Sequence, residues 1–168
     1  LLKEIWGEVK SSKLLNPIEL KEIAFVYDPR LIIVPLSINP DEIKTIEFFQ
    51  LASNPDLLGQ ANIFSNTKGL FLKGAFTSSR YANYIKFLRQ RSFYSSVTPT
   101  KGNYAFSLDG ELVGVMMNKN YAYHLKDLGQ NIYSDSRTKI GPSFDEDKFH
   151  ELLQNLRLKY EQIADDYK

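Results

Sequence analysis

The clearest periodicity lies near the end of the chain, where Phe149, Leu152, Leu153, Leu156, Tyr160 and Ile163 recur at three- and four-residue steps. That stripe predicts a long C-terminal helix within 143–168, with one face for packing on a sheet or on another helix. Ser143 and Glu146 have the spacing of a capping box, and Asp145, Glu146 and Asp147 sit where the helix dipole favours negative charge. At the other end, Leu1, Leu2, Ile5, Trp6 and Val9 share one helical face, weakened at Gly7 and loosened at Ser11 and Ser12. Asn16-Pro17 then restarts a short helical turn to Ile23, with Asn as the cap and Pro at the first helical position.

From Ala24 the pattern changes to short apolar runs separated by turn residues. Phe25, Val26 and Tyr27 run into the Asp28-Pro29 turn, and Leu31 to Val34 form a β-branched cluster ended by Pro35. Residues 44–52 partly alternate and read as a strand, or their start as a helical turn capped by Asn39. Residues 61–65 and 70–76 predict a hairpin across Asn66-Thr67-Lys68-Gly69, with Gly69 in the left-handed region of a type I turn. Residues 79–91 read as helical, since Tyr81, Tyr84, Ile85 and Leu88 fall on one face, and 93–97 as a strand. Tyr104 to Leu108 meets Glu111 to Met116 across Asp109-Gly110, which predicts a two-residue type I′ hairpin. Residues 120–125 extend the sheet, and 129–142 read as an exposed loop. The expected organisation is an N-terminal helical segment at 1–23, a β-rich domain at 24–128, a loop at 129–142 and a C-terminal helix at 143–168. The class is α+β: a mainly antiparallel sheet or partly closed barrel with flanking helices.

Composition narrows the chemistry. The chain has 168 residues, no cysteine and two histidines, His124 and His150. Thiolate metal sites, disulfides and cysteine nucleophiles are therefore excluded. Absence of cysteine fits either a cytosolic or a bacterial exported protein. The net charge of +1 argues against a broad electrostatic footprint for nucleic acid. No apolar run reaches the roughly 20 residues of a membrane span. The chain opens at Leu1 inside the first helical pattern, which suggests a fragment of a longer protein or a processed product.

No Gly-rich phosphate loop is present. His124 with Asp127, and His150 with Glu146 and Glu151, have helix-compatible ligand spacings but read as solvated charge clusters, so no metal or cofactor is expected. Carboxylates at 145–151 and 161–166 read as the polar side of a helix, not as a glycosidase pair. Arg80, Lys86, Arg89 and Arg91 interleave with Tyr81, Tyr84, Phe87, Phe93 and Tyr94, the composition of a base-stacking, phosphate-holding surface. A core helix with a basic outer face accounts for the same residues. Ser95, Ser96 and Ser107 read as ordinary strand or loop residues.

The stretch Pro99-Thr100-Lys101-Gly102-Asn103-Tyr104-Ala105-Phe106-Ser107-Leu108-Asp109-Gly110-Glu111-Leu112-Val113-Gly114-Val115-Met116 resembles the second-barrel core of trypsin-like serine peptidases. The resemblance covers residues 99–118. It places Gly102-Asn103 at the Gly-Asp step before the nucleophile, Tyr104 at the nucleophile position, and Gly114 at the glycine that lets substrate backbone approach. The chain departs from that family in having no serine in this loop and no histidine before residue 124. A tyrosine without a base is no acyl-transfer nucleophile, and no triad assembles from these residues. The resemblance therefore implies a trypsin-like barrel without catalysis. We expect a non-catalytic binding or assembly module with a protein or peptide partner, or self-association through the terminal helices. Its candidate binding residues are Gly102, Asn103, Tyr104, Gly114, Tyr84 and Arg89. Two alternatives stand beside it: a serine hydrolase completed by upstream sequence, and nucleic-acid binding through residues 80–94.

Overall fold

The structure, a computed structural model, describes residues 8–10, 14, 16–44, 48–52, 58–64, 71–78, 83–88, 98–126, 128 and 136–168. The strands are β1 (Glu8–Val9), β2 (Ile18–Glu19), β3 (Glu22–Phe25), β4 (Ile32–Ile33), β5 (Leu58–Phe64), β6 (Phe71–Ser78), β7 (Tyr84–Leu88), β8 (Tyr104–Phe106), β9 (Leu112–Met116), β10 (Tyr121–His124) and β11 (Arg137–Lys139). The helices are α1 (Pro40–Ile43) and α2 (Glu146–Gln162). The fold is α+β, with antiparallel strand ladders and one long C-terminal helix. Two units form: Leu1–Phe48 with Leu128–Ile163, and Phe49–Asp127 with Ala164–Lys168.

In the first unit β3 is the central strand of a three-stranded sheet ordered β11-β3-β4. Helix α2 packs its Phe149, Leu152 and Leu156 on Phe25, with Ile23 and Phe144 alongside. The two β3 residues in this cluster are alternate ones, as the two-residue period of a strand requires. Each large apolar side chain fully buried here contributes about 1.5–3 kcal/mol. Of the predicted helical stripe, Leu153 is instead exposed and Tyr160 lies at the surface. The cap also differs from expectation. Asp145, not Ser143, is the N-cap, its carboxylate accepting from the Lys148 N–H at 3.1 Å. Gly141–Ser143 is taken up by a separate 3-10 turn.

The turn between β3 and β4 is closed by the Leu31 N–H donating to the Asp28 carbonyl at 3.0 Å. Asp28 is fully buried, and its carboxylate accepts from the Arg30 backbone N–H and from Nε and Nη2 of the same arginine, the last at 2.6 Å. The Arg30 guanidinium also lies 5.8 Å from the Tyr160 ring centre on α2, within cation–π range. Pro29 suits the second turn position because its φ is already set.

Several expected elements change type. The helical turn from Pro17 to Ile23 is instead β2 and the start of β3, with β2 paired to β1 through Val9↔Ile18. Of the helix expected at 1–15, residues 8–9 are a strand, and 1–7, 11–13 and 15 lie outside the described residues. The Asn39-capped turn does form: Asn39 Oδ1 accepts from the Asp41 N–H at 3.0 Å, at the start of α1. The strand expected at 44–52 is limited, among the described residues, to an isolated parallel bridge between Leu51 and Leu112. The loop expected at 129–142 contains β11, which pairs with β3.

The second unit is a closed antiparallel barrel ordered β10-β7-β6-β5-β8-β9. Strands β5, β6 and β7 pair in succession, and β8 returns beside β5, which is a Greek key. β9 then pairs with β8, and β10 joins β9 to β7. The predicted hairpin of 61–65 with 70–76 forms in the register Ile63↔Leu72 and Phe64↔Phe71, and its connecting residues 65–70 lie outside the described ones. The predicted helix at 79–91 is instead β7 over its described part. Tyr84 to Leu88 satisfies both periods, since Ile85 and Phe87 also alternate with exposed Lys86 and Leu88. Aromatic and β-branched residues suit strands, and the backbone finds partners on both sides, β6 and β10.

The barrel core holds Ala52, Ala61, Ile63, Ile85, Phe87, Ala105, Val113, Met116 and Ala122. Alanines alternate with large residues because a barrel of this strand number has little room inside. The Asp109-Gly110 hairpin differs from the expected type I′ turn. The Gly110 N–H donates to the Ser107 carbonyl at 3.2 Å, so Leu108 and Asp109 are the central residues, and Gly110 follows at φ 85°. This is the three-residue loop of a type I turn plus a left-handed residue. The Ser107 hydroxyl favours it by accepting from the Glu111 N–H at 3.1 Å.

Gly114 is required by closure. A Cβ there would lie 2.5 Å from the Tyr123 carbonyl oxygen on β10, a backbone atom with little freedom to move. Gly114→Ala should lower unfolding free energy by about 1–3 kcal/mol, the cost of overpacking; a urea denaturation midpoint equal to wild type would show that the barrel yields there. Asp28→Ala strands the Arg30 guanidinium and should cost about 3 kcal/mol, read from the same denaturation curve; a loss under about 1 kcal/mol, the range of surface pairs, would mean the pair is solvated.

Candidate functional site

A cleft lined by described residues lies in the first unit, between β11 and the first turns of α2. It has a volume of about 570 Å³. One wall is α2: Asp145, Lys148, Glu151, Leu152 and Asn155 line it. Steps of three and four residues place them on one helical face. The other wall is Arg137, Thr138 and Lys139 of β11, with Glu22 from the neighbouring β3.

The lining is zwitterionic, with Glu22, Asp145 and Glu151 against Arg137, Lys139 and Lys148. Arg137 Nη1 lies 3.4 Å from Glu22 Oε1, and Lys148 Nζ lies 3.9 Å from Asp145 Oδ2. These pairs are solvated, so they orient side chains more than they stabilise the fold.

The backbone of β11 is the less obvious part of the site. Among the described residues β11 has one strand partner, β3. The Ile140 N–H donates to the Lys21 carbonyl at 3.0 Å, one step beyond the Lys139↔Glu22 pair. In an antiparallel ladder, bonding direction alternates from residue to residue. Thr138 therefore bonds toward β3, and the N–H and C=O groups of Arg137 and Lys139 point away from it, to the outer edge; the Lys139 carbonyl also accepts from the Thr138 hydroxyl at 3.4 Å. The cleft is thus lined by residues of a strand edge and of a helix face, with charges of both signs around it.

The candidate residues from the sequence that the structure describes lie elsewhere, and the barrel engages them in its own structure. Thr100 to Asn103 is a turn with the Asn103 N–H donating to the Thr100 carbonyl at 3.1 Å. Gly102 supplies the φ of 86° that a type II turn needs at its third position. The buried Asn103 side chain folds back, its Oδ1 accepting from the Thr100 N–H at 2.9 Å. The Asn103 carbonyl accepts from the Met116 N–H, and the Gly102 N–H donates to the Met116 carbonyl, each at 2.8 Å. Tyr104 follows as a half-buried residue of β8, opposite Val115. Gly114 is occupied by the approach of β10. These four are brought together at the β8–β9 pair. Tyr84 is on β7, 2% exposed and edge-on to Tyr123 at 5.7 Å, so its ring is not presented to a base. Arg89, like Arg80, Arg91 and residues 93–97, lies outside the described residues.

Of the two histidines, His124 is buried on β10 in the barrel unit and His150 is exposed on α2. Among the described residues no three His, Asp or Glu side chains are grouped to hold a metal ion. Nor is any described helix long and apolar enough to cross a membrane. Comparison with known protein families, with curated proteins and with solved structures gives no match.

The cleft residues escaped the sequence reading because their signal is split. Arg137 and Lys139 show only a three-residue alternation inside a polar stretch. Asp145, Lys148 and Asn155 look like any solvated helix face until β11 lies beside them. The turn at 100–103 carries its own test. Gly102→Ala forces a side chain into the left-handed region and should cost about 1–2 kcal/mol, with a melting temperature lowered accordingly; an unchanged melting temperature would mean the turn relaxes.

Proposed function

We propose that this chain is a non-catalytic binding module that takes an extended polypeptide segment along the outer edge of β11, under α2. The observation that carries this reading is the β11–β3 register, which turns the backbone of Arg137 and Lys139 away from β3, in two residues that also line an open, zwitterionic cleft. Strand addition of this kind draws affinity from main-chain bonds and specificity from the side chains that flank them. Lys139, Lys148 and Arg137 would favour acidic positions in the ligand, and Glu22 and Glu151 basic ones, which makes the preferred segment alternately charged.

The non-catalytic part of the reading is supported by the Thr100–Asn103 turn. In the resemblance to a trypsin-like barrel this is the nucleophile loop, and here its polar groups are spent on holding the turn and on Met116. In this reading the barrel is a scaffold that has kept a peptidase-like framework without its nucleophile.

The experiment is selection of binders from a random peptide library on the purified chain, followed by titration of the selected peptides against Lys139→Pro. Proline is tolerated at a sheet edge but lacks the outward N–H. Wild type should select extended, alternately charged peptides, and Lys139→Pro should weaken them about tenfold, the worth of one good hydrogen bond. Equal affinity for both proteins, or no selected peptide from the folded wild type, would remove the proposal.

A further inference from the structure

The β11–β3 register also fixes the face that each β11 side chain takes, and with it the chemistry a strand added at the outer edge would meet. Thr138 pairs with Ile23, which packs against the α2 cluster, so Thr138 turns to the helix side and is buried. Arg137 and Lys139, exposed and one step to either side, share the opposite face with Glu22. Glu22 holds Arg137 there at 3.4 Å. A guanidinium has several N–H donors, so this one contact leaves Arg137 able to take a second carboxylate.

A strand on the edge of β11 aligns its residues with those of β11, and directly opposed side chains share a face. Two ligand residues, two positions apart, therefore stand opposite Arg137 and Lys139, and acids there complete two cation–anion pairs. The residue between them stands opposite Thr138 and turns toward α2. The charged cleft residues on and before that helix are Asp145, Lys148 and Glu151. Lys148 is drawn to Asp145 at 3.9 Å, whereas Glu151, like Lys139, enters no ion pair among the described residues. The charge left over on the helix side is negative, and it suits a base between the two acids.

The same charges argue against a second copy of this chain as the occupant. Two β11 edges paired antiparallel about Thr138 would set Arg137 of each opposite Lys139 of the other. Like charges directly opposite destabilise a pair of strands, and basic side chains on an edge guard against edge-to-edge association. Nor do these 168 residues hold the complementary triplet, since none of the 21 lysines and arginines has an acid on both sides.

We propose, resting on the strand addition above, that the occupant of the β11 edge is a segment of a different protein carrying an acid–base–acid triplet. The two acids meet Arg137 and Lys139 on one face of the sheet, and the base meets Glu151 on the other. The triplet reads the same in both chain directions, so the charge pattern that selects it is the same for a parallel and an antiparallel ligand.

The test titrates synthetic peptides into the full chain: Thr-Val-Glu-Lys-Glu-Val-Thr, its inverse Thr-Val-Lys-Glu-Lys-Val-Thr, the neutral Thr-Val-Gln-Gln-Gln-Val-Thr, and Thr-Val-Glu-Gln-Glu-Val-Thr, which isolates the central base. Wild type should bind the first about tenfold more tightly than its inverse, as matched cross-strand charges do against opposed like ones. Arg137→Gln combined with Lys139→Gln leaves the backbone edge intact. It should erase that preference and leave the neutral peptide unchanged. The central lysine should be worth about threefold in wild type and nothing in Glu151→Gln. Equal affinity of wild type for all four peptides, each weakened by Lys139→Pro, would overturn the triplet and leave strand addition standing. Affinities unmoved by Lys139→Pro, or no binding at millimolar peptide, would remove strand addition and the triplet with it. Self-association of the wild type that Lys139→Pro abolishes would overturn the exclusion of a second copy. Should the double variant not fold, salt decides in the wild type. Going from about 0.1 M to about 1 M should weaken the first peptide about fivefold and leave the neutral one unchanged; an equal response of the two would overturn the proposal.

Discussion

Strand β10 hydrogen-bonds on both sides, to β7 through Tyr121↔Lys86, Ala122↔Ile85 and Tyr123↔Tyr84, and to β9 through Ala122↔Met116, Tyr123↔Val115 and His124↔Gly114. With that strand in place the barrel has no free edge, and much of the second unit follows from it. Closure brings the Tyr123 carbonyl to where a side chain on residue 114 would stand, so that position is glycine. The interior it encloses is narrow, so Ala61, Ala105 and Ala122 face it beside a few large residues. The same alternation sends tyrosines to the outer face of β7 and β10. Tyr167 packs on two of the rings, those of Tyr84 and Tyr121.

The first unit depends on a different device. The chain reverses between β3 and β4 around a carboxylate with no solvent exposure, and Arg30 meets it with both backbone and guanidinium donors. A buried charge of this kind is tolerable only when its oxygens are fully engaged. The reversal sets β4 against β3, while β11 pairs with the other side of β3. Arg137 and Lys139, whose backbone turns away from β3, are among the residues that line the cleft. Binding in this reading therefore falls to the helix-backed sheet, while the barrel is a scaffold.

Local chemistry was legible where a single stretch of residues settles it. The hairpins at 61–76 and 104–116, the Asp28-Pro29 turn, the Asn39-capped helical turn and the body of α2 all follow from neighbours within a few positions. Legibility ended where two periods fit equally well. Tyr84, Ile85 and Leu88 satisfy a helix, and Tyr84 to Leu88 satisfies a strand. Pro17 to Ile23 could begin a helix until Val9 and Ile18 pair. Turn details were also undecided by composition: Asp109-Gly110 suits a two-residue loop, and the bond from Gly110 to Ser107 makes it a three-residue one.

The sequence by itself determined the α+β class, the antiparallel hairpins, the long terminal helix and the exclusion of thiol chemistry, because each depends on residue type or on short-range periodicity. Tertiary structure alone decided that β11, far along the chain, pairs with β3, that β10 closes the barrel, and that a polar helix face and a strand edge enclose one cleft. Those are pairings between residues more than 100 positions apart in the β11–β3 ladder, as in the contact of Arg137 with Glu22, 115 positions away. Their free energy comes from joining backbone edges and apolar faces that no local window contains.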